Sequence, residues 1–315
     1  MALLSRSVEP NNLRLLFAAG GWVADVVQEL REDARFAANL SRGLLPPGRD
    51  RRADIPDRIF PPFRPISVPQ LAGKRFGLVA SGGSGALASL CGVKRAFEEA
   101  GIDVEAISAC SGAALFAGLW AAGYDAEQMA RFWLSLRPRD YVDPDWRALG
   151  RAALHGFRDF GGLLRGEAIE RTFQERFGDL CLGDLDVPLF VPAWNTNHNR
   201  FVYFGSTNTP NMPFAKAIRV AISIPLFVEP VRHLGKLYGD GGVVSIFPAR
   251  PLVDYRLPLD FFFGVNCYFP ENFDGEDIGA WRERSFAVLR ASGQLRTCVS
   301  LELAREQVRL LAPRL

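Results

Sequence analysis

Two long stretches of this chain carry no charge at all. Phe76 to Val93 (FGLVASGGSGALASLCGV) lies between Arg75 and Lys94, and Ala106 to Tyr124 (AISACSGAALFAGLWAAGY) lies between Glu105 and Asp125. Each is near the length of about 18 to 20 residues that flags a membrane span, so a two-span membrane protein is one solution. The other is a buried strand, a Gly/Ser-rich turn and the start of a buried helix. The second fits better, because glycines and serines stand between a β-rich and a helix-rich half, which a span has no reason to arrange. The 315 residues are 48% hydrophobic and 23% charged, enough apolar material for a globular core and a poor fit to disorder or a coiled coil. A formal charge of +2 gives no support to a nucleic-acid partner.

Ahead of these stretches, residues 1–45 read as a helical arm, with Asn11 or Asn12 able to cap and Leu15, Leu16, Val23, Val26, Val27 and Leu30 at helical spacing. That arm either packs on the main domain or meets lipid or a partner. Residues 46–72 form a proline-rich connector, too dense in proline for a helix or a central strand. From there to about residue 270, strands alternate with helices. FGLVAS, VEAISAC, VPLFVPAWNT, FVYFGS and LDFFFGVNCYF read as strands, and ALASLCGVKRAFEEAG and GAALFAGLWAAG as helices ending at Gly101 and Gly123. That alternation implies βαβ units and a three-layer α/β/α domain over 73–270 with a mainly parallel central sheet. Residues 271–315 read as a pair of helices packing on it.

Within VEAISACSGAALFAGL, Ser111 falls where a strand gives way to a helix. Such a turn projects a hydroxyl from the backbone, and the helix N-terminus behind it stabilises negative charge. Ala109 and Ala113 take the small-residue positions two before and two after it, which alanine fills if φ stays negative. On this segment alone Ser111 also reads as a plain N-cap, and Cys110 beside it lacks a local base or cation to make it a nucleophile. The loop SGGSGALA fits neither a P-loop nor a dinucleotide loop: no GK[ST] follows, and Ala88 fills the last position of GxGxxG. What remains is an oxyanion hole with donors from Gly82 to Gly85. Asp240 in KLYGDGGVVSIFP is either a simple β-turn aspartate or a carboxylate placed to accept the proton of Ser111. His155, His198 and His233 sit in no triad-like setting. Arg219 and Asn195 either line the site or hold structure.

Taken together, these segments resemble the patatin-like phospholipase family. SGGSGALASLCGVKRAFEEAGI at 81–102 is similar to the family's SGGGxRG followed by AGVLRALEEAGI, and ISACSGAALFAGLWAAG at 107–123 to its IxGTSAGAL turn and following helix. AIRVAISIPLFVEPV at 217–231 and DGGVVSIFP at 240–248 resemble AxRASxSIPxxFxPV and DGGxxxNxP, in the family order. GLLRGEAIERTF at 162–173 also resembles a family helix entry. The resemblance implies a patatin-like fold and a serine lipid acyl hydrolase, a phospholipase, lysophospholipase or related esterase. It implies a Ser111–Asp240 dyad working through an acyl-enzyme, with Gly82, Gly83, Ser84 and Gly112 as the oxyanion hole. The chain departs from the pattern at Ser84, Ala86 and Leu87, where the family has glycine, a cation and glycine. Those departures motivate the alternative of a catalytically weak or inactive patatin-like protein that binds lipid or a protein partner.

No cofactor and no metal are expected, since the five cysteines are scattered without ligand spacing, and an odd count in a long chain argues against a disulfide framework. Arg6, Glu9 and Arg14 interrupt what would otherwise be a secretory leader, so the expectation is a cytoplasmic protein whose partner is a lipid or other acyl ester, with any membrane contact peripheral.

Overall fold

A computed structural model of the protein describes residues 55–83, 85–147, 150, 161–255 and 257–265. The expected helical arm (1–45), the first part of the connector (46–54), the last residues of the domain (266–270) and the expected C-terminal helices (271–315) lie outside the described residues.

The first uncharged stretch builds β1 (Phe76–Ala80), a turn, a 3-10 segment at Gly85–Ala88 and the first half of helix α1 (Ser89–Glu99). The second builds the later part of β2 (Val104–Ala109), a sharp turn and helix α2 (Gly112–Ala121). Among the described residues no helix is long and apolar enough to cross a membrane. β1 and β2 pair in parallel, Leu78 with Ile107 and Ala80 with Ala109, so α1 is a crossover. Gly101 and Gly123 follow α1 and α2 with φ of 62° and 84°, the left-handed stop that ends a helix.

Downstream lie α3 (Ala126–Ser135), β3 (Gly162–Leu164), α4 (Glu167–Phe177), β4 (Leu189–Asn195), β5 (Arg200–Gly205) and α5 (Phe214–Ala221). They are followed by β6 (Leu226–Val228), β7 (Val231–His233), β8 (Lys236–Asp240), α6 (Arg250–Asp254) and β9 (Phe261–Val265). Among the described residues, seven strands form one sheet in the order β7-β8-β4-β2-β1-β9, with β5 also on β4, while β3 and β6 pair as a separate ribbon. The central strands β4, β2, β1 and β9 run parallel, and β5, β8 and β7 add an antiparallel edge.

Strand periodicity splits the core into two layers. Leu78, Ala80, Ile107 and Ala109 face a large cluster with α1, α2, α3, α4 and α5, including Leu90, Leu119, Met129, Phe173 and Ile218. The alternate residues Val79 and Ala106 join Phe190 and Leu252 of α6 on the opposite face. Both faces of β1 and nearly all of β2 are therefore buried, which explains their continuous apolar sequence.

The described part of the connector runs over α1 and α3 without helix or strand until a 3-10 turn at Pro69–Leu71. The Glu127 carboxylate accepts the N–H groups of Ile59 (2.8 Å) and Phe60 (3.2 Å), and Arg131 and Arg95 donate to the carbonyls of Asp57 and Pro61. These bonds supply partners that prolines and extended backbone cannot find among themselves.

One edge of β4 carries the arrangement that matters most. β2 pairs with its first residues, Ile107 with Leu189 and Ser108 with Phe190, and runs parallel to it. β8 takes over the same edge farther on, Asp240 with Ala193 and Tyr238 with Asn195, running antiparallel. β2 and β8 therefore point at each other and their C-terminal ends meet across an interval of two β4 residues, Val191 and Pro192. Proline, which has no N–H for a ladder, is tolerated there because neither strand pairs with it on that edge. Gly241, just past β8, lies flat on this interval: a methyl added to it would fall 2.5 Å from the Ala193 nitrogen and 2.6 Å from Pro192 Cβ. Backbone cannot give way as a flexible side chain can. Gly241→Ala is expected to cost about 3 kcal/mol of stability in a urea melt, the upper end for overpacking.

Candidate active site

The ends of β2 and β8 bring Ser111 and Asp240 together, 129 positions apart in the chain. Ser111 has φ 51° and ψ −134°, a region that side chains rarely adopt, so the strain of the turn is concentrated on this one residue. Ala109 and Ala113 are fully buried, and neither is among the positive-φ residues, as the sequence requires of alanine at those places. Helix α2 starts directly behind: Ala113 and Ala114 donate to the carbonyls of Cys110 and Ser111, both at 3.0 Å. The Ser111 hydroxyl does not cap that helix. It faces the Asp240 carboxylate instead, as a donor that lowers that group's pKa.

Asp240 is 3% exposed. Its Oδ1 accepts the Gly242 N–H at 2.8 Å, the local turn bond expected of an Asp-Gly-Gly sequence, and faces the Cys110 thiol at 3.9 Å. Burial pushes the carboxyl up to about 7, against the opposing pull of hydrogen bonds from Ser111, Gly242 and Cys110. A serine hydroxyl facing a carboxylate whose pKa lies near neutrality is the pair needed for general-base activation of a nucleophile. The Cys110 thiol is driven the other way. Fully buried and beside Asp240, it is held protonated well above its ordinary range, so it serves as a donor and not as a nucleophile.

The glycine loop passes directly over the turn. A methyl on Gly82 would fall 3.0 Å from Ser111 Cβ and 3.5 Å from Cys110 Sγ. The Gly82 N–H is given to the Ile246 carbonyl at 2.9 Å, so this glycine contributes close approach. Gly83 lies over Gly112, its carbonyl oxygen 3.1 Å from where a methyl on Gly112 would sit. Gly112 is the first residue of α2, where N–H groups have no partner inside the helix. Ser84 lies outside the described residues.

Of the other candidates, Arg219 and Asn195 are structural. Asn195 Oδ1 accepts the His198 N–H at the β4–β5 turn. Arg219, 4% exposed, donates to the carbonyl oxygens of Arg165 and Glu229 and to Ser223 Oγ. Ser223 in turn accepts the backbone N–H of Asp240 with its own carbonyl, at 2.8 Å. The link from Ser223 to Asp240 is not legible in the sequence, where the available signal is the run AIRVAIS, with Arg219 and Ser223 four apart at a helix end. His233 ends β7 against the Phe204 ring, and His155 lies outside the described residues. Among the described residues, no group of three or more His, Cys, Asp or Glu side chains is placed to hold a metal ion.

The raised Asp240 carboxyl has a consequence for stability. Its folded value lies above that of the unfolded chain, so folding is favoured while the group is protonated, and this advantage is lost as pH rises through about 7. Asp240→Asn, neutral at every pH, is therefore expected to unfold at higher temperature than the wild type at pH 8, by on the order of 3 kcal/mol. At pH 4 the two melting curves should nearly coincide, and calorimetry at both values checks this.

Comparison with known proteins places the chain in a family. The family model described as Patatin-like phospholipase matches residues 78–253, more than half of the chain. The Lysophospholipase NTE1 of Cryptococcus neoformans is 27% identical over 230 residues, 71% of this chain and 13% of its own length. An uncharacterized NTE family protein of Mycobacterium bovis is 27% identical over 191 residues, covering 60% of this chain and 48% of that one. The chain thus spans less than half the length of either relative. VipD from Legionella pneumophila is a solved structure similar to this one at a TM-score of 0.41 and 13% identity, over 78% of this chain and 60% of VipD. The chain belongs to the patatin-like phospholipase family.

Proposed function

We propose that this protein is a serine lipid acyl hydrolase, of the phospholipase, lysophospholipase or related esterase type, working through a Ser111–Asp240 dyad. The observation that carries the reading is the strained serine at a helix N-terminus, facing a buried carboxylate whose pKa is raised to about 7. Ser111 Oγ attacks the ester carbonyl carbon while Asp240 accepts its proton. The oxyanion that forms is met by the N–H groups of Gly83 and Gly112 and by the positive end of α2. Collapse expels the alcohol, which takes the proton from Asp240, and leaves the acyl group on Ser111. Water, deprotonated by Asp240, then releases the acid and restores the hydroxyl. Family membership and the lysophospholipase among the relatives support a lipid ester as substrate.

A second reading, a lipid-binding or partner-binding protein without turnover, draws on Leu87, whose side chain packs onto Gly112 beside the nucleophile. Chain-length-dependent ester hydrolysis that is lost in Asp240→Ala would exclude it.

A fluorophosphonate probe should label the wild type at Ser111, and Ser111→Ala should abolish both labelling and hydrolysis of a lysophospholipid. Equal labelling of Ser111→Ala would remove the nucleophile assignment. Because Asp240 must be ionised to act as base, kcat/KM should rise with pH along a limb with its midpoint near 7, falling about tenfold for each unit below it.

A further inference from the structure

We propose that Leu87 selects the acyl group, admitting esters unbranched beside the carbonyl and rejecting those branched at the α-carbon; this rests on the acyl-hydrolase reading above. Leu87 belongs to the 3-10 segment Gly85–Ala88 between the glycine loop and α1. It is only 7% exposed and packs in the main core cluster with Ala113 and Ala114 of α2. Its Cδ1 lies so close over the Cα of Gly112 that any methyl on Gly112 would collide with it.

Gly112 adjoins Ser111 and supplies one of the N–H groups assigned to the oxyanion. The reacting carbonyl therefore sits beside Leu87, walled on that side by a branched aliphatic group. The Gly83 carbonyl oxygen stands beside the same face of Gly112, 3.1 Å from where a methyl there would sit, and a methyl on Gly82 would fall 3.0 Å from Ser111 Cβ. An atom bonded to the carbonyl carbon cannot move away from this wall without pulling the oxygen off its donors. A second substituent on that atom has to displace a side chain held in a packed core, and packed cores resist even one added methyl. A linear acyl chain carries no such substituent and leaves freely from the same point.

The test compares p-nitrophenyl butyrate with p-nitrophenyl 2-methylpropanoate. Both have the same leaving group and the same number of carbons, so their kcat/KM ratio reports branching alone. Rates are counted per site labelled by a fluorophosphonate, so misfolded molecules do not enter. The full-length wild type should favour butyrate by about tenfold or more, the scale on which pockets discriminate single carbon groups. Leu87→Gly and Leu87→Ala should each lower that ratio about tenfold, chiefly by gaining rate on the branched ester. A wild-type ratio near one, or a ratio unchanged within about twofold in both variants while Ser111-dependent labelling persists, overturns the proposal. Hydrolysis or labelling that survives Ser111→Ala is a different outcome: it removes the parent reading, and this inference with it.

Discussion

Every feature of the site depends on two strands sharing one edge of a third. β2 and β8 approach along β4 from opposite directions and stop two residues short of each other, so the turns that follow them are forced into contact. Neither turn makes a pair alone. Ser111 on its own would be a strained residue at a helix start, and Asp240 on its own a turn aspartate bonded to Gly242. Placing them requires β4 to be continuous through Val191 and Pro192, and requires Gly241 to lie against it with no side chain. The parallel half of the sheet supplies the Ser111 turn with its helix dipole, and the antiparallel edge supplies Asp240.

The same closeness sets the chemistry. A carboxylate is ordinarily too weak a base to work at neutral pH, and among the described residues no imidazole stands beside the serine. Taking Asp240 out of water raises its basicity, while three donors limit how far the rise goes. Cys110 adds to this balance through its own burial: a thiol that cannot ionise next to Asp240 is left only as a donor to it. The price is a native state that holds an uncomfortable charge and a strained φ at adjoining residues, both of which an inert core would avoid.

Much of this was legible in the sequence because it is local. Two uncharged stretches, each broken by glycine and serine, can bury themselves as strand, turn and helix, and Gly101 and Gly123 stop their helices where expected. Ser111 and Asp240 stand out because their neighbours are small. What was not legible is non-local. The pattern of apolar residues does not say that β8 joins the edge of β4 in front of β2, nor that the Gly82 N–H is claimed by Ile246, 164 positions away. Residue size at Leu87 announced a departure from the family pattern, but only the fold shows its side chain resting on Gly112.

Arg219 shows why a buried charge belongs near such a site. Its hydrogen bonds in the described structure go to neutral oxygens, two backbone carbonyls and a serine hydroxyl, while burial lowers its pKa. If stability were the only criterion, an apolar side chain of similar volume would serve at least as well. No apolar group, however, can hold three oxygens from separate segments at fixed angles, which the planar guanidinium does. Those oxygens belong to Arg165 after β3, Glu229 after β6, and Ser223, whose carbonyl receives the Asp240 N–H. Arg219 thereby fixes the small β3–β6 ribbon to the segment that bonds the backbone of Asp240. In this fold the buried cation acts as a geometric constraint, and Asp240 is the group whose position it constrains.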